Sequence, residues 1–153
     1  SRGALEVTDI HTPYSRATAK TFMETNYQRM LSTAGHRIDD LSALCHLANN
    51  AAGWWLDSVT REPKPRNFGE LIALMHSELS EALEGDRKDL LSDKIPGFTA
   101  VEEEFADLLI RLFDTAGAKQ LRLGDAFLAK MRYNQTRPDH QLENRAKPDG
   151  KKY

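Results

Sequence analysis

Apolar residues recur every three or four positions along nearly the whole chain, and no convincing run of β-branched residues alternates with polar ones. A period near 3.6 puts such residues on one side of a helix, whereas strands need a period of two. The chain is therefore expected to be all-α. Its 153 residues suit a single domain. A core this size holds together without staples. The single cysteine, Cys45, excludes an internal disulfide and a cysteine-rich zinc site.

Stop and start signals divide the pattern into about five helices forming an antiparallel bundle. Residues 1–14 read as irregular, with Pro13 near their end. Ser15 can cap a first helix to about Ala34, which Gly35 would stop. A second is expected from Asp39 or Asp40 to just before Pro63-Lys64-Pro65, carrying Leu41, Leu44, Ala48, Trp55 and Leu56. A third runs from Asn67 to Glu84, followed by a polar connection over 85–98. Thr99 and Glu102 form a capping-box pattern that opens a fourth, to about Thr115. A fifth begins at Gly124-Asp125 and ends before Pro138. The expected organisation is an extension with one amphipathic helix (1–36), a helical domain (37–138) and a polar, basic tail (139–153).

Charge narrows the partners. The chain carries 21 Lys+Arg against 23 Asp+Glu. From Lys130 onward there are seven basic and three acidic residues, which leaves 14 basic against 20 acidic upstream. An acidic body with a basic end argues against nucleic acid as the principal ligand. No apolar run approaches the ~18 residues of a membrane span, and the N-terminus shows no signal-peptide apolar core. A cytoplasmic address is the simplest expectation. The first residue is Ser1 rather than Met, which leaves the natural start open.

The chemistry is concentrated in two acidic pairs, Glu78/Glu81 and Glu104/Asp107. Residues three apart on a helix point to one side, one turn from each other. Two antiparallel helices facing each other would bring four carboxylates together. Such a set repels itself unless a divalent cation sits in it. All-oxygen ligands suit a hard cation, Mg²⁺ first and Mn²⁺ as its substitute. A di-iron site would want Glu-x-x-His pairs, and no Glu or Asp here has His three residues later.

The helical stripes bear on whether these acids are merely solvated. On the third helix Leu71, Ile72, Met75, Leu79, Ala82 and Leu83 form the apolar side, with Glu78 near its edge and Glu81 further out. On the fourth, Val101, Phe105, Leu108, Leu109, Leu112, Phe113 and Ala116 form the stripe. Asp107 falls almost opposite it, as does Ile110, which a solvated face would not carry. A second subunit covering that side is the natural expectation.

The order Glu78-x-x-Glu81, then 22 residues, then Glu104-x-x-Asp107 resembles the signature of the MazG-like all-α nucleoside triphosphate pyrophosphohydrolases. Gly53-Trp54-Trp55 upstream, the wording Leu74-Met75-His76-Ser77-Glu78-Leu79-Ser80-Glu81-Ala82-Leu83-Glu84, and Lys130-x-x-x-Asn134 downstream add to the likeness, which spans about residues 38–138. The resemblance implies Mg²⁺-dependent hydrolysis of a nucleoside triphosphate to monophosphate and pyrophosphate. It further implies that Glu78, Glu81, Glu104 and Asp107 hold metal and carry the catalysis, in a homodimer or homotetramer whose active-site bundle is completed between chains. Nucleotide-pool control or house-cleaning is the implied role. The alternatives are a dUTP/dCTP-selective relative and a non-catalytic helical oligomer acting as an interaction module.

Substrate contacts are expected from two further groups. Lys130, Asn134 and Arg137 share a face of the fifth helix, with Tyr133 at its margin, and suit a triphosphate chain. In the second helix Asn50 can read a base edge and Trp54 can stack on it. His46 and His76 read as structural rather than as ligands. Arg87, Lys88 and the Gly150–Tyr153 ending read as solvated surface, although the basic ending could also fold over an anion.

Overall fold

A computed structural model describes residues 15–152. The irregular segment expected over residues 1–14, and Tyr153, lie outside the described residues. The described chain is all-helical. It contains α1 (Arg16–Ala51), α2 (Phe68–Arg87), α3 (Ala100–Ala118), α4 (Leu123–Thr136), a 3-10 turn (Pro138–His140) and a short α5 (Leu142–Arg145). Among the described residues there are no strands, only isolated bridges at Leu56–Pro63 and Leu91–Thr99. None of the helices is long and apolar enough to cross a membrane.

The caps are largely where the sequence puts them. Ser15 Oγ accepts the Thr18 N–H and Asn67 Oδ1 the Glu70 N–H. Thr99 and Glu102 form the reciprocal box: Glu102 N–H donates to Thr99 Oγ1 at 3.2 Å, and Thr99 N–H to the Glu102 carboxylate at 2.7 Å. Each satisfies an orphan donor of a helix start.

The expected first and second helices are one. α1 runs unbroken through Gly35, for roughly 54 Å at 1.5 Å per residue. Gly35 does not stop it because its missing side chain is used in packing. A Cβ there would sit 2.8 Å from Leu128 Cδ1 of α4. A lone glycine costs a helix about 1 kcal/mol, which close packing can offset. Asp39, expected to cap a new helix, instead accepts the Gly124 N–H at the start of α4. α1 also ends earlier than expected, at Ala51, so Trp54, Trp55 and Leu56 lie in a turn-rich loop that returns to α2.

α3 and α4 follow one another along α1, both antiparallel to it. α3 packs on the C-terminal half, where a Cβ on Gly117 would meet the Ser42 carbonyl oxygen at 2.7 Å, and α4 packs on the Gly35–Asp39 region. α2 folds back on α3 as an antiparallel hairpin, its Gly85 against Ala100. The expected polar tail is folded locally. Asn144 donates to the Pro138 carbonyl and Gln141 to that of Gln135, which ties the 3-10 turn and α5 to the end of α4.

The faces are the largest surprise. Between α2 and α3 the chain buries Leu71, Glu78, Ala82, Glu103 and Glu104. The expected apolar stripe of α3 is only partly covered: Ala116 is buried and Val101, Leu108 and Phe113 are half-buried, but Phe105 is 49% and Leu109 48% exposed, and Leu79 and Leu83 of α2 are exposed as well. Asp107, expected on the outer side, is turned inward and half-buried, while Ile110 is exposed. The fully buried apolar set among the described residues is only Leu31, Leu71, Ala82 and Ala116.

Candidate metal centre and adjoining cavity

Glu78 of α2 and Glu104 and Asp107 of α3 each offer a carboxylate oxygen, and these oxygens lie within 4.8 Å of one another. Glu78 is 4% and Glu104 7% exposed. Their placement follows from the hairpin: Gly85 and Ala100 fix the turn end, and the antiparallel run brings the acids level one to two turns below it. Burial, a hydrogen bond shared with Glu78, and the Glu81 charge push the Glu104 carboxyl up to about 7. That is how a crowded set of acids behaves when one proton is worth keeping. The set fits a divalent cation, since a dication supplies the positive charge that the crowding demands. Glu81 is exposed and lies outside the tight group, although its charge is felt by Glu104.

The loop between α2 and α3 is tied to the same place. Glu103 Oε2 accepts the Ser92 hydroxyl at 2.5 Å, and Ser92 Oγ accepts the N–H groups of Lys94 and Ile95. Lys94 Nζ lies 2.6 Å from Glu103 Oε1. The Lys94 ammonium and then the Ser92 hydroxyl hold Glu103 below the usual carboxylate range, and Lys94 in turn is raised by Glu103, Glu104 and Asp107. The residue next to Glu104 thus anchors the loop that edges the site.

Below the acids, Asp114 is a buried hub. Its Oδ1 accepts from His46 Nδ1 and Trp55 Nε1, each at 2.9 Å, and its Oδ2 from Asn49 Nδ2 at 2.7 Å. Arg66 stacks over the Trp55 ring, 5.7 Å from its centre, and His46 meets the indole edge-on. This network holds the loop after α1 against α3. It frames a cavity of about 360 Å³ whose lining includes Asn49, Trp54, Arg66, Asp107 and Arg111. Asp107 is thus shared by the acid group and the cavity.

The sequence-expected residues divide accordingly. Trp54 lines the cavity, but Asn49 rather than Asn50 does so, and Asn50 is exposed. His46 is structural as expected, whereas His76 is simply exposed on α2. Arg87 and Lys88 pair with Glu84 at the surface. Lys130, Tyr133, Asn134 and Arg137 do not reach the acids within one chain. The Leu128 contact at Gly35 and the Asp114 contact at Asn49 are about 20 Å apart along α1, and α4 runs on away from the acids. Lys130 sits over the Tyr133 ring at 4.8 Å, and Arg137 forks onto Asp139 at 2.8 and 2.5 Å. The basic ending also reaches Asp139, through Lys151 at 3.7 Å.

Sequence reasoning missed Arg111 and Asp114. They continue the three-and-four spacing of Glu104 and Asp107 along the same side of α3, which was the available signal. No protein family, curated protein or solved structure matches this chain.

Proposed function

We propose that the chain is a Mg²⁺-dependent nucleoside triphosphate pyrophosphohydrolase, converting a ribo- or deoxyribonucleoside triphosphate to its monophosphate and pyrophosphate. The observation that carries the proposal is the convergence of Glu78, Glu104 and Asp107 beside a cavity walled by Trp54, Asn49 and two arginines. The acidic spacing that resembles the MazG-like enzymes supports it further.

Glu78, Glu104 and Asp107 are the proposed cation ligands, with Glu81 one turn away for a second ion or an ordered water. The bound cation would neutralise phosphate oxygens and lower the pKa of water. The chain's own residues do the rest. Trp54 offers a face for a nucleobase and Asn49 an amide edge, although Asn49 already donates one bond to Asp114. Arg66 and Arg111 bring positive charge to the cavity wall. Ser92 and Glu103 tie the loop between α2 and α3 down beside the acids.

An oligomer belongs to the proposal because Leu79 and Leu83 of α2 and Phe105 and Leu109 of α3 leave large apolar side chains exposed. Lys130, Asn134 and Arg137 would then contact triphosphate only where another copy carries α4 to the acids. The test is a panel of nucleoside triphosphates with Mg²⁺, resolving the products. Monophosphate and pyrophosphate are expected. Diphosphate with inorganic phosphate, or no turnover of any member, would overturn the proposal and, in the second case, leave an interaction module.

A further inference from the structure

Arg111 stands between the acids and the cavity. Its Nε donates to Glu78 Oε1 at 2.5 Å, and the same side chain forms part of the cavity wall. The Glu78 side chain is 5% exposed and that of Arg111 41%. The carboxylate is therefore deep and the guanidinium lies at the opening. A buried carboxylate requires a counter-charge, and here an arginine supplies it.

A dication bound through Glu78 Oε1 would compete with the Arg111 Nε–H for that oxygen and repel the guanidinium beside it. The carboxylates one turn to either side of Arg111 on α3 are both committed. Asp107 belongs to the cation group, and Asp114 is already filled by His46, Asn49 and Trp55. What remains for the guanidinium is the cavity that it lines. An anion entering there meets a planar donor fork suited to phosphate.

We propose that Arg111 is an exchangeable counter-ion that neutralises Glu78 until a divalent cation does so, and then grips the phosphate chain of a ligand in the adjoining cavity. Cation and phosphate therefore bind with positive linkage. Arg111 is a ligand-gripping residue only in the loaded site. This role rests on the cation site proposed above, and the two fail differently.

The experiment follows the ¹⁵Nε–Hε resonance of Arg111 in the wild-type protein, assigned by its loss in Arg111→Lys. In cation-free protein a hydrogen-bonded resonance is expected. It should move on saturation with Mg²⁺ and move again when inorganic triphosphate is added. By calorimetry, Arg111→Met should bind Mg²⁺ at least about fivefold more tightly than wild type, and inorganic triphosphate in Mg²⁺ at least about fivefold more weakly. Mg²⁺ binding with an unmoved Arg111 resonance, or weaker Mg²⁺ binding by a folded Arg111→Met, overturns the exchange alone. Failure of wild type to bind Mg²⁺ or Mn²⁺ overturns the cation site and the exchange together.

Discussion

Glu104 allows the cation site to be tested by counting protons. Its carboxyl is pushed up to about 7 by burial, by the hydrogen bond with Glu78 and by the nearby Glu81 charge. A metal ligand must be ionised, so cation binding expels whatever proton Glu104 still holds. With a pKa of about 7, roughly 0.9 proton is bound at pH 6, about 0.5 at pH 7 and about 0.1 at pH 8. Titrating Mg²⁺ calorimetrically in buffers of different ionisation enthalpy should return these stoichiometries. The apparent affinity should fall about fivefold from pH 7 to pH 6, approach a tenfold fall per pH unit below that, and level off above about 8. Release below about 0.2 proton at pH 6, or an affinity independent of pH from 6 to 8, would refute the reasoning. The same shift acts on stability. Folded Glu104 keeps its proton to about 7, whereas in the unfolded chain it loses it near 4.5, so the cation-free fold binds more protons in that interval. Its contribution to stability is present at low pH and declines as pH rises from about 4.5 to about 7.

Further outcomes follow from the same geometry. Glu104→Gln removes a crowded buried charge, so at pH 8 the cation-free protein should melt about 2–4 °C higher while losing Mg²⁺ binding; a lower melting temperature would refute the crowding. Asp114→Ala orphans His46, Asn49 and Trp55 and should cost about 3 kcal/mol by urea unfolding, a loss under 1 kcal/mol contradicting the hub. Gly117→Ala should cost about 1–3 kcal/mol even though alanine favours helices by up to about 1 kcal/mol, because its Cβ meets the α1 backbone; a stabilised variant would show that α1 and α3 are less closely packed. Leu109→Glu should dissociate an oligomer that wild type forms at micromolar concentration, and a monomeric wild type in sedimentation would remove that basis for subunit contact.

Much of the fold is written locally. The helical period, the Ser15, Asn67 and Thr99 caps and the proline break at Pro138 all act over a few residues, and the structure uses them. The 3-residue spacing of Glu104 and Asp107 likewise places both on one side of α3 without reference to the rest of the chain. What local pattern does not carry is which side of a helix meets which neighbour. Gly35 looks like a stop until Leu128 packs on it, and Asp39 looks like the cap of its own helix until Gly124 arrives from elsewhere. The exposure of Phe105 and Leu109 beside the buried Glu103 and Glu104 runs against the ordinary reading of amphipathicity. Hydrophobic burial has no direction of its own and is satisfied by any apolar neighbour, whereas the acids require partners at hydrogen-bonding distance. The sequence by itself thus determined the helical class, the Ser15, Asn67 and Thr99 helix starts and the acidic inventory. Only the tertiary structure decided that Glu78 meets Glu104, that Arg111 answers Glu78 and that Asp114 gathers three donors, because those pairings join residues far apart in the chain.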